Sequence, residues 1–301
     1  MIPYIIFPYI IEFYLILSIS YIHKSMNVQS NIRPFLKWPG RKFSIIGYLK
    51  NHFIKPNKEI IFIEPFLGSA AVFLNTDYKN YVLNDSNQDL INVYLYLMKE
   101  GEKFIKYCNK YFIEKNNVLE QYYDLRDIFN NSTVSRKKAA LFVYLNRHGY
   151  NGLCRYNSSG QYNVPFGRYK TINLLHNEML AFYNKANTNK IKIQCSDFTT
   201  CFEQVNNNTV FYCDPPYVPI SSSASFTQYD KESFNFTHQK KLVDLVVHAK
   251  KLGAASFISN HDLTITRELY EGAKIVSFDV KRTISCKSNN RNYVKELLAI
   301  Y

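Results

Sequence analysis

Arginine, glycine and paired cysteines are scarce in this chain. Its 301 residues hold ten arginines, ten glycines, ten prolines, six cysteines and one tryptophan. The cysteines, at 108, 154, 195, 201, 213 and 286, form no C-x-x-C pair and no Cys/His cluster at zinc spacing. We therefore expect no metal, and reduced thiols in a reducing compartment. No G-x-G-x-x-G is present, which leaves little for a dinucleotide reading. With 47% hydrophobic and 20% charged residues, disordered and collagen-like classes are excluded. Residues 1–22 lack any basic residue and any small-residue cleavage site, which argues against a secretory signal. Pro3, Pro8 and Glu12 interrupt their apolar run, which argues against a spanning helix. Residues 1–30 read as an extension or a mis-called start, with Met26 as the alternative first residue, and a membrane partner is not expected.

The charge points the other way. Lys and Arg number 37 against 24 Asp and Glu, a net +13. However, 27 of the basic residues are Lys, beside 31 Asn and 25 Tyr, all with A/T-rich codons. A biased genome inflates such a total, so the sum is weak evidence for a polyanion partner. The placement of arginine is more telling. Arg147, Arg155 and Arg168 fall within residues 146–170, a stretch without helical period that also holds four glycines.

Residues 59–74, EIIFIEPFLGSAAVFL, read as strand, turn and helix, and NYVLND (80–85) as a second strand ending on an acid. Residues 87–145 carry apolar residues at i, i+3, i+4 spacing, and strands return at 209–217 and 254–260. AKIVSFDVKR and YVKELLAIY close the chain as two further strands. The expectation is a doubly wound, mixed α/β sheet interrupted by a mainly helical insertion. Residues 31–87 and 176–301 form its catalytic domain and residues 88–175 the insertion.

DPPY at 214–217 follows the apolar run VFYC, placing Asp214 at the carboxyl end of a strand, where open α/β sheets bind ligands. Pro215 and Pro216 fix φ and remove donors, so the Asp214 carboxylate and Pro215 carbonyl stand as two rigid acceptors. Tyr217 adds a flat ring for stacking. Two acceptors and a ring suit an exocyclic amino group on a flat heterocycle. In EPFLGSAAVF, Gly68 sits where a backbone approaches a ligand closely. Asp85, 21 residues after Glu64, can take a ribose diol or cap the helix that follows. KWPGRK (37–42) sets Trp38, suited either to a ligand or to the core, beside Lys37, Arg41 and Lys42.

FLKWPGRK, EPFLGSAAVFLN, LNDSNQDLIN, YLNRHGYNGLCRYN, NVPFGRYK, VFYCDPPYVP, ISNHDLTITRELY and KELLAIY, in this order, resemble the Dam-type DNA adenine-N6 methyltransferases from about Phe35 to Tyr301. The resemblance implies a class I methyltransferase fold that takes S-adenosylmethionine and double-stranded DNA. It also implies a monomer in the cytoplasm, methylating adenine in GATC. Cofactor positions then fall on Trp38, Lys42, Glu64, Pro65, Phe66, Gly68, Asp85 and Asp214. The catalytic motif falls on Asp214, Pro215, Pro216 and Tyr217. Base-reading positions match Lys37, Leu153, Arg155, Pro165 and Tyr169. Strand intrusion and phosphate contact match Tyr150, Asn151 and Asn157, with Arg168 in the same loop. In those roles Arg155 reads guanine bidentately, Leu153 and Pro165 meet a thymine methyl, and Tyr150 fills the space of a displaced base.

Three residues depart from the family's pattern. Pro39 and Arg41 stand in a segment that usually reads K-W-A-G-G-K, and Ala70 stands where a second glycine is usual. Two alternatives compete with the main reading: a catalytically inactive DNA-binding relative, and an amino methyltransferase of RNA or protein glutamine. The intact DPPY opposes the first. NPPY, usual in glutamine enzymes, opposes the second.

Overall fold

The computed structural model describes residues 31–40, 42–220, 234–281 and 293–301. The N-terminal extension up to residue 30 and Arg41 lie outside the described residues. Arg33–Tyr301 is one compact unit.

Seven strands form one mixed sheet in the order β3-β2-β1-β4-β5-β7-β6. They are β1 Ile61–Glu64, β2 Asn80–Asp85, β3 Lys190–Cys195, β4 Thr209–Cys213, β5 Ala255–His261, β6 Lys274–Lys281 and β7 Tyr293–Ile300. The first five run parallel, and β7 lies antiparallel between β5 and β6. The expected doubly wound, mixed sheet is therefore present. All five residues of β4 are buried, which is why VFYC reads as an unbroken apolar run. Successive side chains leave on opposite faces. Phe211 and Cys213 pack with Leu242, Val246 and Ile258 on one side. On the other, the Tyr212 ring lies 5.4 Å from Phe53, which also meets Phe62 and Phe257. Removing a fully buried ring such as Phe62 costs about 3–5 kcal/mol.

The sequence pattern yields no strand between β2 and β4, and the structure adds β3. It is an edge strand, KIKIQC, with Lys190 and Lys192 exposed. Charge on an edge discourages pairing with another chain and also breaks the apolar signal.

Nine α-helices are described: α1 Ile46–Lys50, α2 Ala71–Asn75, α3 Gln88–Glu100, α4 Glu102–Asn109, α5 Leu119–Asn131, α6 Ser135–His148, α7 His176–Asn187, α8 Phe236–Lys251 and α9 Thr264–Leu269. The span from β2 to β3 is helical from α3 to α6. α6 contacts α3, α4 and α5, and its residues 139–146 are all buried. A helix apolar on every side is the centre of its cluster. α6 continues through His148, so Arg147 belongs to its last turn rather than to the irregular loop.

Between α6 and α7 the chain makes a short 3-10 turn, Tyr150–Gly152, and two isolated bridges, Gly149 with Phe166 and Tyr156 with Tyr162. Two buried tyrosine hydroxyls find carbonyl acceptors in this loop, which offsets the cost of burying them. Tyr122 donates to the Val164 carbonyl at 2.9 Å and Tyr162 to the Leu153 carbonyl at 3.0 Å, tying this loop to the helices. Among the described residues no helix is long and apolar enough to cross a membrane.

Candidate functional site

The strand order reverses between β1 and β4, and the crevice outside the carboxyl ends of such strands is where open α/β sheets bind ligands. Glu64 ends β1 there and Asp214 follows β4. A cavity of about 1000 Å³ opens at this point, lined by both carboxylates together with Trp38, Lys42, Phe66, Gly68, Asp85 and residues 214–217. Seven of the eight positions expected to hold the cofactor thus converge on the cavity, and Pro65, the eighth, is buried and does not line it. Leu67, Ser69, Ala71, Asn87, Cys154, Arg155, Phe234, His261 and Glu296 contribute further surface.

Gly68 lies at φ +49°, and a Cβ there would meet the Trp38 ring at 2.8 Å. The glycine is therefore required twice, for its backbone and for the indole seated on it. Trp38 is half-buried and lines the cavity, which favours the ligand-side reading over a core role. The Gly68 N–H donates to Asp85 Oδ2 at 3.0 Å, and the Tyr94 hydroxyl of α3 donates to the Gly68 carbonyl at 2.7 Å. Asp85 Oδ1 accepts from the Asn87 N–H at 3.0 Å. Asp85 is not the helix cap: Asn87 is, its side chain accepting from the Leu90 N–H. Burial raises the Asp85 carboxyl, opposed by these backbone donors.

Ala70 sits at φ +60°, ψ +28°, directly before α2 and fully buried. An L-residue with a Cβ is disfavoured in that region. The glycine usual at this place therefore has a conformational reason.

Glu64 is 2% exposed, and its Oε1 has no hydrogen-bond partner. Burial pushes its carboxyl well above the ordinary range, and nearby Asp214 pushes further, while Lys185 and the Phe73 N–H oppose. A buried acceptor left unbonded and facing a cavity is a seat for a donor.

Asp214 Oδ1 lies 2.9 Å from Lys42 Nζ, which also donates to the Gly40 carbonyl at 2.8 Å. Lys42 Nζ stands 4.6 Å from the centroid of the Tyr217 ring. Burial raises the Asp214 carboxyl to about 6, with Lys42 holding it down and Glu296 pushing it up. The Tyr217 hydroxyl donates to Glu296 Oε2 at 2.9 Å, and the ring meets His261 edge-on at 4.8 Å.

Three residues that sequence reading does not single out hold this turn. Gln239 of α8 donates to the Pro216 carbonyl at 2.7 Å. Asn260 Oδ1, at the end of β5, accepts from the Val218 N–H at 3.1 Å, and His261 Nδ1 bonds the Val218 carbonyl at 2.7 Å. The visible signal was ISNH ending a strand beside DPPY.

The loop positions gather more loosely. Lys37 is bracketed by Asn146, which accepts from its N–H and donates to its carbonyl, while its Nζ reaches the Arg147 carbonyl at 2.9 Å. The same Nζ lies 4.0 Å from the Tyr169 ring centroid, and the Tyr169 hydroxyl accepts from the Asn151 N–H. A Cβ on Gly152 would strike Lys37 at 2.2 Å, so the segment before Trp38 threads directly under the loop. Tyr150, Asn151, Arg155, Asn157, Pro165 and Arg168 are exposed, Arg168 at φ +52°, and Leu153 is half-buried. Arg155 is steadied by Asn163, through Nε to Oδ1 at 2.8 Å. The Asn157 side chain accepts from the Ser159 and Gln161 N–H groups and so shapes its own turn. Among the described residues no group of three or more His, Cys, Asp or Glu is arranged to hold a metal ion.

Comparison with known proteins agrees with this arrangement. The model of the D12 class N6 adenine-specific DNA methyltransferases matches residues 38–284. A DNA adenine methylase of Salmonella typhi is 40% identical over 269 residues, covering 89% of this chain and 95% of the relative. One of Haemophilus influenzae is 41% identical over 280 residues, covering 92% and 96%, and one of Escherichia coli strain K12 is 40% identical over 269 residues, covering 89% and 95%. With an Asp-Pro-Pro-Tyr turn and a glycine-turn pocket meeting at the sheet's switch point, and with these matches along most of its length, the chain belongs to the D12 class N6 adenine-specific DNA methyltransferases.

Proposed function

We propose that this enzyme transfers the methyl group of S-adenosylmethionine to N6 of adenine within GATC in duplex DNA, acting as a cytoplasmic monomer on the chromosome. The observation that carries the reading is Asp214, fixed at the strand end between a glycine-turn pocket and a Pro-Pro-Tyr turn.

The residues present fit the cofactor. It bears an ammonium, a carboxylate, a ribose diol and a sulfonium-bound methyl. The unbonded Glu64 Oε1 supplies an acceptor for the ammonium, Lys42 a cation for the carboxylate, and Asp85 acceptors for the diol. Trp38 on Gly68 gives a flat wall. When bound, the cofactor supplies an electrophilic methyl group.

Lys and Arg side chains hold the duplex by its phosphates. The helical insertion, residues 88–175, serves as the target-recognition domain. Arg155 reads guanine, with Lys37 and Tyr169 beside it, and Leu153 and Pro165 meet the thymine methyl. Tyr150, exposed just after α6, enters the stack as the adenine leaves it. Asp214 and the Pro215 carbonyl then accept the two N6 hydrogens, and Tyr217 stacks on the ring. This orients the nitrogen lone pair toward the methyl group, and orientation supplies much of the rate. Asp214 is ionised above about pH 6 and so can hold the proton that N6 gives up.

The test is tritiated methyl transfer to plasmid DNA, paired with protection of GATC from a methylation-blocked nuclease. Asp214→Ala is expected to abolish transfer, and full retained activity would overturn the assignment. Arg155→Ala is expected to relax one base position by about 1–3 kcal/mol of discrimination. Unchanged selectivity removes it from base reading.

A further inference from the structure

Arg155 lies between two residues that are both fastened to the head of α3. On one side, Asn87 Nδ2 donates to Cys154 Sγ at 3.4 Å. On the other, the Tyr156 hydroxyl donates to Asp89 Oδ2 at 2.8 Å, and Asp89 Oδ1 pairs with Lys138 of α6 at 3.2 Å. The head of α3 is in turn fastened to the glycine turn. Asn87 caps the helix and gives its N–H to Asp85, whose second oxygen takes the Gly68 N–H. Arg155 itself is exposed, and its guanidinium is held by Asn163. The backbone on either side of Arg155 is thus linked through Cys154 and Tyr156 to residues 87–89, and from there to Asp85 and Gly68.

We propose that Tyr156, through Asp89, is a positioning residue that couples base reading by the loop to the fit of the cofactor pocket. The inference rests on the methyltransferase reading above. A coupling of this kind is reciprocal: a duplex containing the target site tightens the cofactor by the same factor as the cofactor tightens that duplex. The Tyr156–Asp89 bond is suited to the task because its acceptor is a carboxylate and its donor a phenol, a strong and directional pair. Asp89 is held on its other side by Lys138 of α6, which fixes the acceptor in place.

The experiment measures cofactor affinity of the full-length protein calorimetrically in three conditions: without DNA, with a GATC duplex, and with a duplex altered at one base. In the wild type the GATC duplex is expected to tighten the cofactor at least about fivefold over the altered duplex. Tyr156→Phe, which keeps the ring, is expected to bring that ratio to within about twofold of one and to reduce kcat on GATC about tenfold, with cofactor affinity in the absence of DNA altered by less than about twofold. Asp89→Ala, which removes the acceptor, is expected to give the same loss, and the double variant no further loss, the mark of one shared interaction. If Tyr156→Phe weakens the cofactor equally in all three conditions, its role is structural and the coupling is overturned. A wild-type ratio retained in the variant overturns it too. A wild type that methylates no GATC DNA overturns the functional reading and the coupling together, whereas an active wild type with an unchanged variant ratio overturns the coupling alone.

Discussion

Lys42 Nζ stands 2.9 Å from Asp214 Oδ1, and the pair meets where β4 ends. Without the cation, burial would hold the acid protonated to still higher pH, because desolvation disfavours the charged form. With it, the carboxyl titrates at about 6. Protonated Asp214 cannot accept a hydrogen from N6 at that oxygen. Activity, read as kcat/KM, should therefore climb through about pH 6 and level off above it, and Lys42→Met should shift that acid limb upward. A pH–rate profile of both proteins, on the same duplex, checks the sign.

Glu64→Gln removes a charge from a site that burial already disfavours. The variant is expected to be as stable as the wild type or more so in urea, while binding S-adenosylmethionine at least about tenfold more weakly, as lost pairing of a buried ammonium implies. Equilibrium unfolding and calorimetric titration read the two effects separately.

Ala70→Gly should relieve the positive φ. The gain is about 1 kcal/mol, visible as a thermal midpoint raised by about 2 °C. An unchanged midpoint would show that the buried methyl contributes as much packing as its backbone loses.

Asn260→Ala leaves the buried Val218 N–H without its acceptor. An expected loss of about 1–3 kcal/mol follows, measured by urea unfolding. Because the freed turn carries Asp214 and Tyr217, kcat should fall more than cofactor affinity does.

Six of the seven strands were legible because a buried parallel strand reads as an apolar run and β6 and β7 end the chain with strong β-formers. β3 was not, because Lys190 and Lys192 stand on an exposed edge where charge is favoured. The acids that line the cavity were legible from spacing: Glu64 and Asp85 each end a strand, and Asp214 directly follows one. Gln239, Asn260 and Asn146 were not, since a neutral amide gives neither periodicity nor charge, and among 31 asparagines none is conspicuous. The same abundance hid the helix cap, which fell to Asn87 rather than Asp85. Arg147 read as part of the loop because Gly149 and Gly152 lie so near, yet buried packing carries α6 to His148.

β1 pairs with β2 about 20 positions along the chain, and with β4 about 150 positions along it. Joining ends so far apart is entropically harder, by about 2 kcal/mol if the intervening chain is unstructured. Helices α3 to α6 fill that interval with short-range contacts, which form quickly and draw the ends together. The strand tips bearing Glu64 and Asp214 are therefore expected to meet after the helices have condensed. In a refolding experiment helical signal should precede the competence to bind cofactor, with the pocket appearing as the final event of the pathway.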